Sequence, residues 1–256
     1  MQKGFLALSA STILMCCMSA QAKPTVCVFD LLGKSGESYK LIEEWALASK
    51  TWGTDVQLSS YQDEAKLDSD FKDGKCDGFY MTSMRARAYN KFAGSIDALG
   101  GVPNNEIAQK AISYVLDKRN NRRLVSKVGK ETYEVAGIGQ IGSAYIFVKD
   151  RNMNRIEQVK GKKFAILHYD RAQKSMVERI GAVPVMSDIS NFIRKFNQND
   201  VDIVAAPAYA FKPLEISKGL GAQGAMIDFP VVNVTADLII KPEQFPEGFG
   251  IKSREW

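Results

Sequence analysis

Between Gly161 and Pro207 the chain alternates short apolar runs with amphipathic stretches, and this alternation restricts the fold more than any other feature. Lys163–Leu167, Val183–Met186 and Ile203–Ala206 read as strands. Arg171–Ile180 reads as a helix with Met176, Val177 and Ile180 on one side. Asp188–Asn197 reads as a second helix, because Ile189, Phe192, Ile193 and Phe196 fall at i, i+3, i+4 and i+7. Short strands separated by helices pair in parallel through crossovers. Ligands of such sheets sit beyond the carboxyl ends of the strands. One such end is the loop His168-Tyr169-Asp170-Arg171, which holds the chain's single histidine.

The first half repeats the pattern. Thr25–Leu31, Val56–Leu58 and Gly78–Met81 are the expected strands. A helix capped by Ser38 and buried through Leu41, Ile42, Trp45 and Ala46 joins the first two, and a short polar helix over Asp63–Phe71 joins the last two. The fold class is therefore α/β, with two βαβαβ lobes. A long helix is expected over Asn104–Val128, where Lys118, Arg119, Arg122 and Arg123 read as a solvated basic face rather than a nucleic-acid patch. Tyr133–Val148 and Val231–Ile240 are strand-like and enter or leave a lobe, as hinge connections do; Gly137, Gly139 and Gly142 suit a segment that bends or approaches a ligand. The expected organisation is a leader at 1–22, lobe one at 23–135, a hinge strand at 136–148, lobe two at 149–230, and a return strand with the start of a C-terminal segment of lobe one at 231–256.

The leader has Lys3, an apolar Phe5–Met18 and an Ala20-Gln21-Ala22 cleavage site, the pattern of a secretory signal peptide. Met15 before Cys16, and Cys16 before Cys17, match a lipobox poorly, so lipidation is not expected. No later apolar run approaches the 18 or so residues of a membrane span. Beyond the leader the only cysteines are Cys27 and Cys76, which in an exported chain read either as a disulfide or as two buried thiols. The net charge of +5 is read as a solvated basic surface with no specific partner; no nucleic-acid partner is expected.

Catalysis needs a nucleophile–base pair, paired carboxylates or a metal set. With one histidine any triad must use His168; Asp170 is too near in sequence to orient it in the usual way, and no G-x-S-x-G elbow is present. His168 and Asp170 have no metal-ligand spacing signature. Gly137-Ile138-Gly139-Gln140-Ile141-Gly142 does not precede a helix and is weak as a nucleotide fingerprint. Neither an enzyme nor a cofactor or metal is expected. A binding cleft needs only concave walls, aromatics and a few oriented polar groups. The candidates are Tyr80, Thr82, Ser83 and Arg85 from lobe one, Gln140 on the hinge, and His168, Tyr169, Arg171 and Tyr209 from lobe two. Asp30, Ser35, Asp170 and Phe211 lie on the same loops.

Four segments carry a family resemblance: Gly161-Lys162-Lys163, Ile180-Gly181-Ala182-Val183-Pro184-Val185, Val201-Asp202, and Gly74-Lys75-Cys76-Asp77 in the first half. In these the chain resembles periplasmic solute-binding proteins of the type II fold. It is most similar to the receptors of TRAP transporters and, among them, to a group labelled AdeT that is associated with drug efflux and aminoglycoside resistance. The resemblance implies a periplasmic protein that captures a small-molecule ligand by two-lobe closure, with membrane transporter subunits as partners. The alternative it leaves is a periplasmic accessory protein associated with drug efflux, without its own transporter. An enzyme centred on His168 is the third reading. Two departures stand out. Ala165 occupies the position of the family's carboxylate-clamping arginine, and Ala205-Ala206 that of a Glu-Asn pair; Arg171, Arg85 or Arg87 are the available substitutes. Family members also continue with helices beyond the second hinge strand, so this chain is expected to be a fragment ending near the start of one.

Overall fold

Residues 23–256 are described by the structure, a computed structural model; the leader, with Cys16 and Cys17, lies outside them. In lobe one, β1 (Thr25–Phe29), β2 (Gln57–Tyr61) and β3 (Gly78–Thr82) are parallel, with β1 in the middle. In lobe two, β6 (Lys163–Leu167), β7 (Val183–Ser187) and β8 (Ile203–Pro207) repeat this arrangement, with β6 in the middle. Two long antiparallel strands, β5 (Glu131–Val148) and β9 (Ala225–Ile240), run through both lobes and join them into one sheet ordered β2-β1-β3-β9-β5-β8-β6-β7. A short β4 (Val125–Val128) pairs with the start of β5. The β5–β9 ladder shifts register at four places between Val135 and Phe147, so the strands that connect the lobes are bulged along the crossing. The chain thus has the two βαβαβ lobes joined by hinge strands that its alternation implies.

The two lobes are built by the same local device. In each, an aspartate just before the third strand accepts the first backbone N–H of the central strand: Asp77 Oδ2 from Thr25 at 2.7 Å, and Asp202 Oδ2 from Lys163 at 2.8 Å. This is the physical content of the repeated Asp in Gly74-Lys75-Cys76-Asp77 and Val201-Asp202. It fixes the register of the central strand against its neighbour in both halves.

Helices α1 (Glu37–Thr51) and α2 (Glu64–Lys72) make the lobe-one crossovers. Tyr39, Ile42, Trp45 and Ala46 form the buried stripe of α1, whereas Leu41, expected in it, faces the groove between the lobes. The cap also differs from expectation. Gly36, not Ser38, is the N-cap, and the carboxylate of Asp30 at the end of β1 reaches across to accept the Tyr39 N–H at 3.2 Å. A Cβ on Gly36 would lie 1.9 Å from Asp30 Oδ1, so any side chain there would displace the capping carboxylate. Asp63 caps α2 in the ordinary way, accepting from Ala65 and Lys66. Strand β3 leads into α3 (Ser83–Ala86). The long helix expected over Asn104–Val128 stops early: α4 spans Asn105–Leu116, Asp117 turns to an extended conformation and bonds the Arg119 N–H, and a 3-10 turn over Lys118–Arg123 leads into β4.

In lobe two, α5 (Ile156–Val159) precedes β6, and α6 (Arg171–Arg179), capped by Asp170, leads to β7. Helix α7 (Phe192–Asn197) is shorter than the periodic pattern, because Asp188 bonds the Ile189 N–H and Asn191 bonds back to Asp188, closing a turn before the helix starts. Helix α8 (Ile216–Leu220) follows β8, and α9 (Phe249–Glu255) returns to lobe one. There Ser253 accepts the Trp45 indole N–H at 2.8 Å and donates to the Ala136 carbonyl at 2.6 Å.

Cys27 on β1 and Cys76, in the turn before β3, are joined by a disulfide with a Cα–Cα distance of 5.9 Å. Beside it, Phe71, Phe79, Tyr89 and Tyr133 pack edge-on or tilted at 4.7–5.7 Å. Lobe two has its own core, on one side of the sheet around Phe147, Phe196 and Ile216 and on the other around Phe164, Ile166 and Val177. No helix among the described residues is long and apolar enough to cross a membrane.

Candidate interlobe binding site

The carboxyl ends of the parallel strands of the two lobes face one another. Phe29 and Leu31 at the end of β1, Thr82 at the end of β3, Leu167 at the end of β6, and Ala205 and Pro207 on β8 wall one cavity of about 60 Å³ between the lobes. Ile141, Ala144, Val232 and Val234 from the hinge strands form another side, and Met84, Ile189 and Phe192 enter from the helical layer. Nothing charged lines this cavity, and its polar lining side chains are Thr82, Gln173 and Tyr209. Two of the polar ones are already engaged: Gln173 Oε1 accepts the Leu167 N–H at 2.6 Å, and the Thr82 hydroxyl donates to Glu64.

A second, wider chamber of about 410 Å³ adjoins it, sharing Ile141 and Tyr209. It is walled by Asp30, Glu37 and Ser38 at the start of α1, by Tyr80 and Gln140, and by Pro213 of lobe two. Gln140 donates to the Asn105 carbonyl and to Asn233 Oδ1, which fixes its side chain on the hinge. Burial pushes the Tyr209 hydroxyl up to about 12, helped by the charges of Asp30 and Glu64, so it stays a neutral phenol. Burial also raises Tyr80 strongly.

Beside the cavity the lobes are held by an ionic contact. Glu64 is fully buried and accepts four hydrogen bonds. Oε1 takes the Thr82 N–H at 2.9 Å and its hydroxyl at 2.5 Å; Oε2 takes Arg85 Nε at 3.0 Å and the Tyr169 hydroxyl at 3.1 Å. Arg85 then reaches across the cleft with Nη2 to both oxygens of Asp188, at 3.0 and 3.2 Å, while its guanidinium lies 4.0 Å from the centre of the Tyr169 ring. Arg87 extends the contact to Asp170 of lobe two at 3.8 Å. Burial pushes the Glu64 carboxyl up, against the pull of Thr82 and Arg85. Behind this contact, Ser83 bonds both Thr235 and Asp237. Thr235 in turn donates to Asp97 at 2.6 Å. Burial pushes the carboxyls of Asp97 and Asp237 each up to about 7.

The candidates from sequence therefore separate by role. Thr82, Tyr80, Gln140 and Tyr209 line the chambers. Arg85 and Tyr169 form the contact between the lobes. Ser83 is buried in the Asp97–Asp237 network and lines neither chamber. His168 lies half exposed at the rim, its Nδ1 at 3.2 Å from the Ser187 carbonyl and 3.5 Å from Asp188. Arg171 is exposed at the start of α6. Asp170 serves as a helix cap, Ser35 is exposed, and Phe211 stacks on Phe147 in the lobe-two core. Sequence reasoning missed the apolar walls, above all Leu31, Met84, Ile141 and Phe192. The available signal was their position at strand ends and hinge, but apolar residues there read equally well as core. It also missed Glu64 and Asp188, whose partner Arg85 lies 21 and 103 residues away.

Comparison with known proteins agrees with this geometry. A family model described as solute-binding protein AdeT 1/2 matches residues 42–256. The chain belongs to the AdeT solute-binding protein family. It is 44% identical over 229 residues to the probable solute-binding protein AdeT1 of Acinetobacter baumannii, covering 90% of this chain and 74% of that one. To AdeT2 of the same organism it is 32% identical over 163 residues, covering 64% and 67%. Among solved structures, a TRAP periplasmic solute binding protein from Pseudomonas aeruginosa with bound L-malate is similar with a TM-score of 0.72 at 12% identity, covering 91% of this chain and 81% of that one. One from Desulfovibrio salexigens with bound orotic acid has a TM-score of 0.68 at 11% identity, covering 91% and 75%. At these identities the structures establish the type II fold. In this chain Ala165 and Ala205, two of the positions where the family resemblance calls for a charged or amide clamp, face the apolar cavity as bare methyl groups.

Proposed function

We propose that this AdeT-family chain is a periplasmic receptor that captures a small molecule in the cleft between its lobes, without chemistry, and presents it to a membrane transporter. The cavity walled by the strand ends of both lobes and by the hinge carries this reading, since only a two-lobe closure brings Phe29 and Thr82 against Ala205 and Pro207. The periplasmic setting is supported by the Cys27–Cys76 disulfide, which persists in an oxidising compartment. Binding without turnover is supported by the place of His168, the residue a catalytic reading would use, which lies half exposed at the rim and lines neither chamber. The similar structures hold L-malate and orotic acid, which makes a metabolite-sized ligand the expected scale.

The test is a thermal-shift screen of the full chain against small metabolites, with each hit checked by NMR for chemical change. A ligand at 100 times its Kd stabilises by about 2.7 kcal/mol, a shift of roughly 5–10 °C for a chain this size. The expected result is at least one such hit recovered unchanged. Conversion of the hit to a product, or no hit across a broad panel, overturns the proposal.

A further inference from the structure

The charges around the cleft point to one class of ligand. Every charged side chain that lines either chamber is acidic: Asp30 and Glu37 in the outer one, none in the inner. The basic residues that approach the cleft are committed elsewhere. Arg85 is spent on Glu64 and Asp188, Arg87 faces Asp170, and neither lines a chamber. Ala165 leaves no guanidinium inside. An anion entering here would lose its hydration, meet no counter-charge and face two carboxylates.

Asp30 adds an independent observation. It is only 8% exposed and lines the outer chamber, yet no cation approaches its carboxylate within 4 Å among the described residues. Its oxygens hold two backbone N–H groups, Leu32 at 2.8 Å and Tyr39 at 3.2 Å, which leaves lone pairs on each for a further donor. Its compensating charge is the partial positive end of α1, so a full positive charge entering from the chamber would still be attracted to it. Tyr80 and Tyr209 line the same chamber as neutral phenols, whose hydroxyl oxygens can accept from an ammonium. Across Ile141 and Tyr209 lies the uncharged inner cavity, whose apolar walls of Phe29, Met84 and Phe192 and volume of about 60 Å³ suit a short alkyl group.

We propose that the cleft takes an organic cation, an amine carried on a compact apolar body, with the ammonium between Asp30 and Glu37 and the apolar body in the inner cavity. This deepens, and rests on, the reading of the cleft as the capture site. It is the opposite charge class from the malate and orotic acid bound by the structurally similar receptors.

The experiment titrates the full chain with three probes that share one short alkyl body, propylamine, propan-1-ol and butyrate, followed by isothermal titration calorimetry. Propylamine is expected to bind at least tenfold more tightly than butyrate, with the alcohol between them. Glu37→Gln, an exposed first-turn substitution, and Asp30→Asn, which keeps an acceptor for the helix cap, are each expected to reduce that preference several-fold. Butyrate binding as well as propylamine overturns the charge assignment and leaves the capture reading standing. A preference for propylamine that survives both substitutions also overturns it, because the charge then acts elsewhere. Binding of none of the three overturns this proposal, while the metabolite screen decides the capture reading separately.

Discussion

Breaking the contact between Arg85 and Asp188 should release the lobes without unfolding either. The two side chains are 10% and 15% exposed, and Asp188→Ala removes a bifurcated charge-assisted contact from Arg85 Nη2 at 3.0 and 3.2 Å. Hydrogen bonds to a charged group contribute about 1.5–3 kcal/mol. The larger penalty for orphaning a buried charge does not apply, because Arg85 keeps Glu64 at 3.0 Å. Each lobe also keeps its own core, so the loss falls on the equilibrium between closed and open forms rather than on folding. That free energy shifts the equilibrium towards open by about 10- to 150-fold. Pulsed electron paramagnetic resonance between spin labels on α1 and α6 reads the interlobe distance directly. The ligand-free variant should show a longer, broader distribution than the wild type, and its apparent ligand affinity should fall by the same factor as the closed population. A distance distribution and an affinity both equal to wild type would show that the Arg85–Asp188 pair does not hold the closed form.

Two further predictions concern stability. The Cys27–Cys76 bridge closes a segment of 49 residues, for which the chain-entropy model gives about 4 kcal/mol; the Cys27→Ala/Cys76→Ala double variant should lose a large part of that in denaturant midpoint, and an unchanged midpoint contradicts it. Asp97 and Asp237 have their carboxyls raised to about 7 by burial, from roughly 3.9 in an unfolded chain. The folded state therefore binds these protons more tightly, and their contribution to stability is full below about pH 4 and lost as pH rises through about 7. The melting temperature should fall between pH 5 and pH 7.5, and Asp237→Asn should flatten that fall; an equal slope in the variant refutes the assignment.

The alternation of strand and helix was readable because each element carries its own period. Ile189, Phe192, Ile193 and Phe196 face one core, and the apolar runs of β1, β6 and β8 are buried on both faces of a parallel sheet. The failures came where a side chain far along the chain, or a local turn, overrode that period. Ser38 lost the cap of α1 to Asp30, nine residues before the helix amide it binds. Asp188 cost α7 its first turn, and Asp117 ended α4 where apolar spacing gave no stop. At the cleft, sequence reasoning favoured polar loop residues, since those distinguish a site from a core. Instead the inner cavity is apolar, and the polar Arg85 and Tyr169 are used to join the lobes. The Glu64–Arg85–Asp188 contact draws on three segments whose bonded partners lie 21 and 103 residues apart, and no local pattern marks such a meeting.

Everything above turns on the capture of a small molecule, unchanged, in the cavity between the lobes. Native mass spectrometry of the protein after exposure to a cell extract tests it most directly when wild type is set beside Ala205→Phe. This substitution fills the inner cavity from the lobe-two wall. One bound small molecule per wild-type chain, of the same mass as in the extract, is expected, and none on an Ala205→Phe chain that is still folded by circular dichroism. Equal occupancy in both proteins, or a bound species chemically altered from the one supplied, would contradict it.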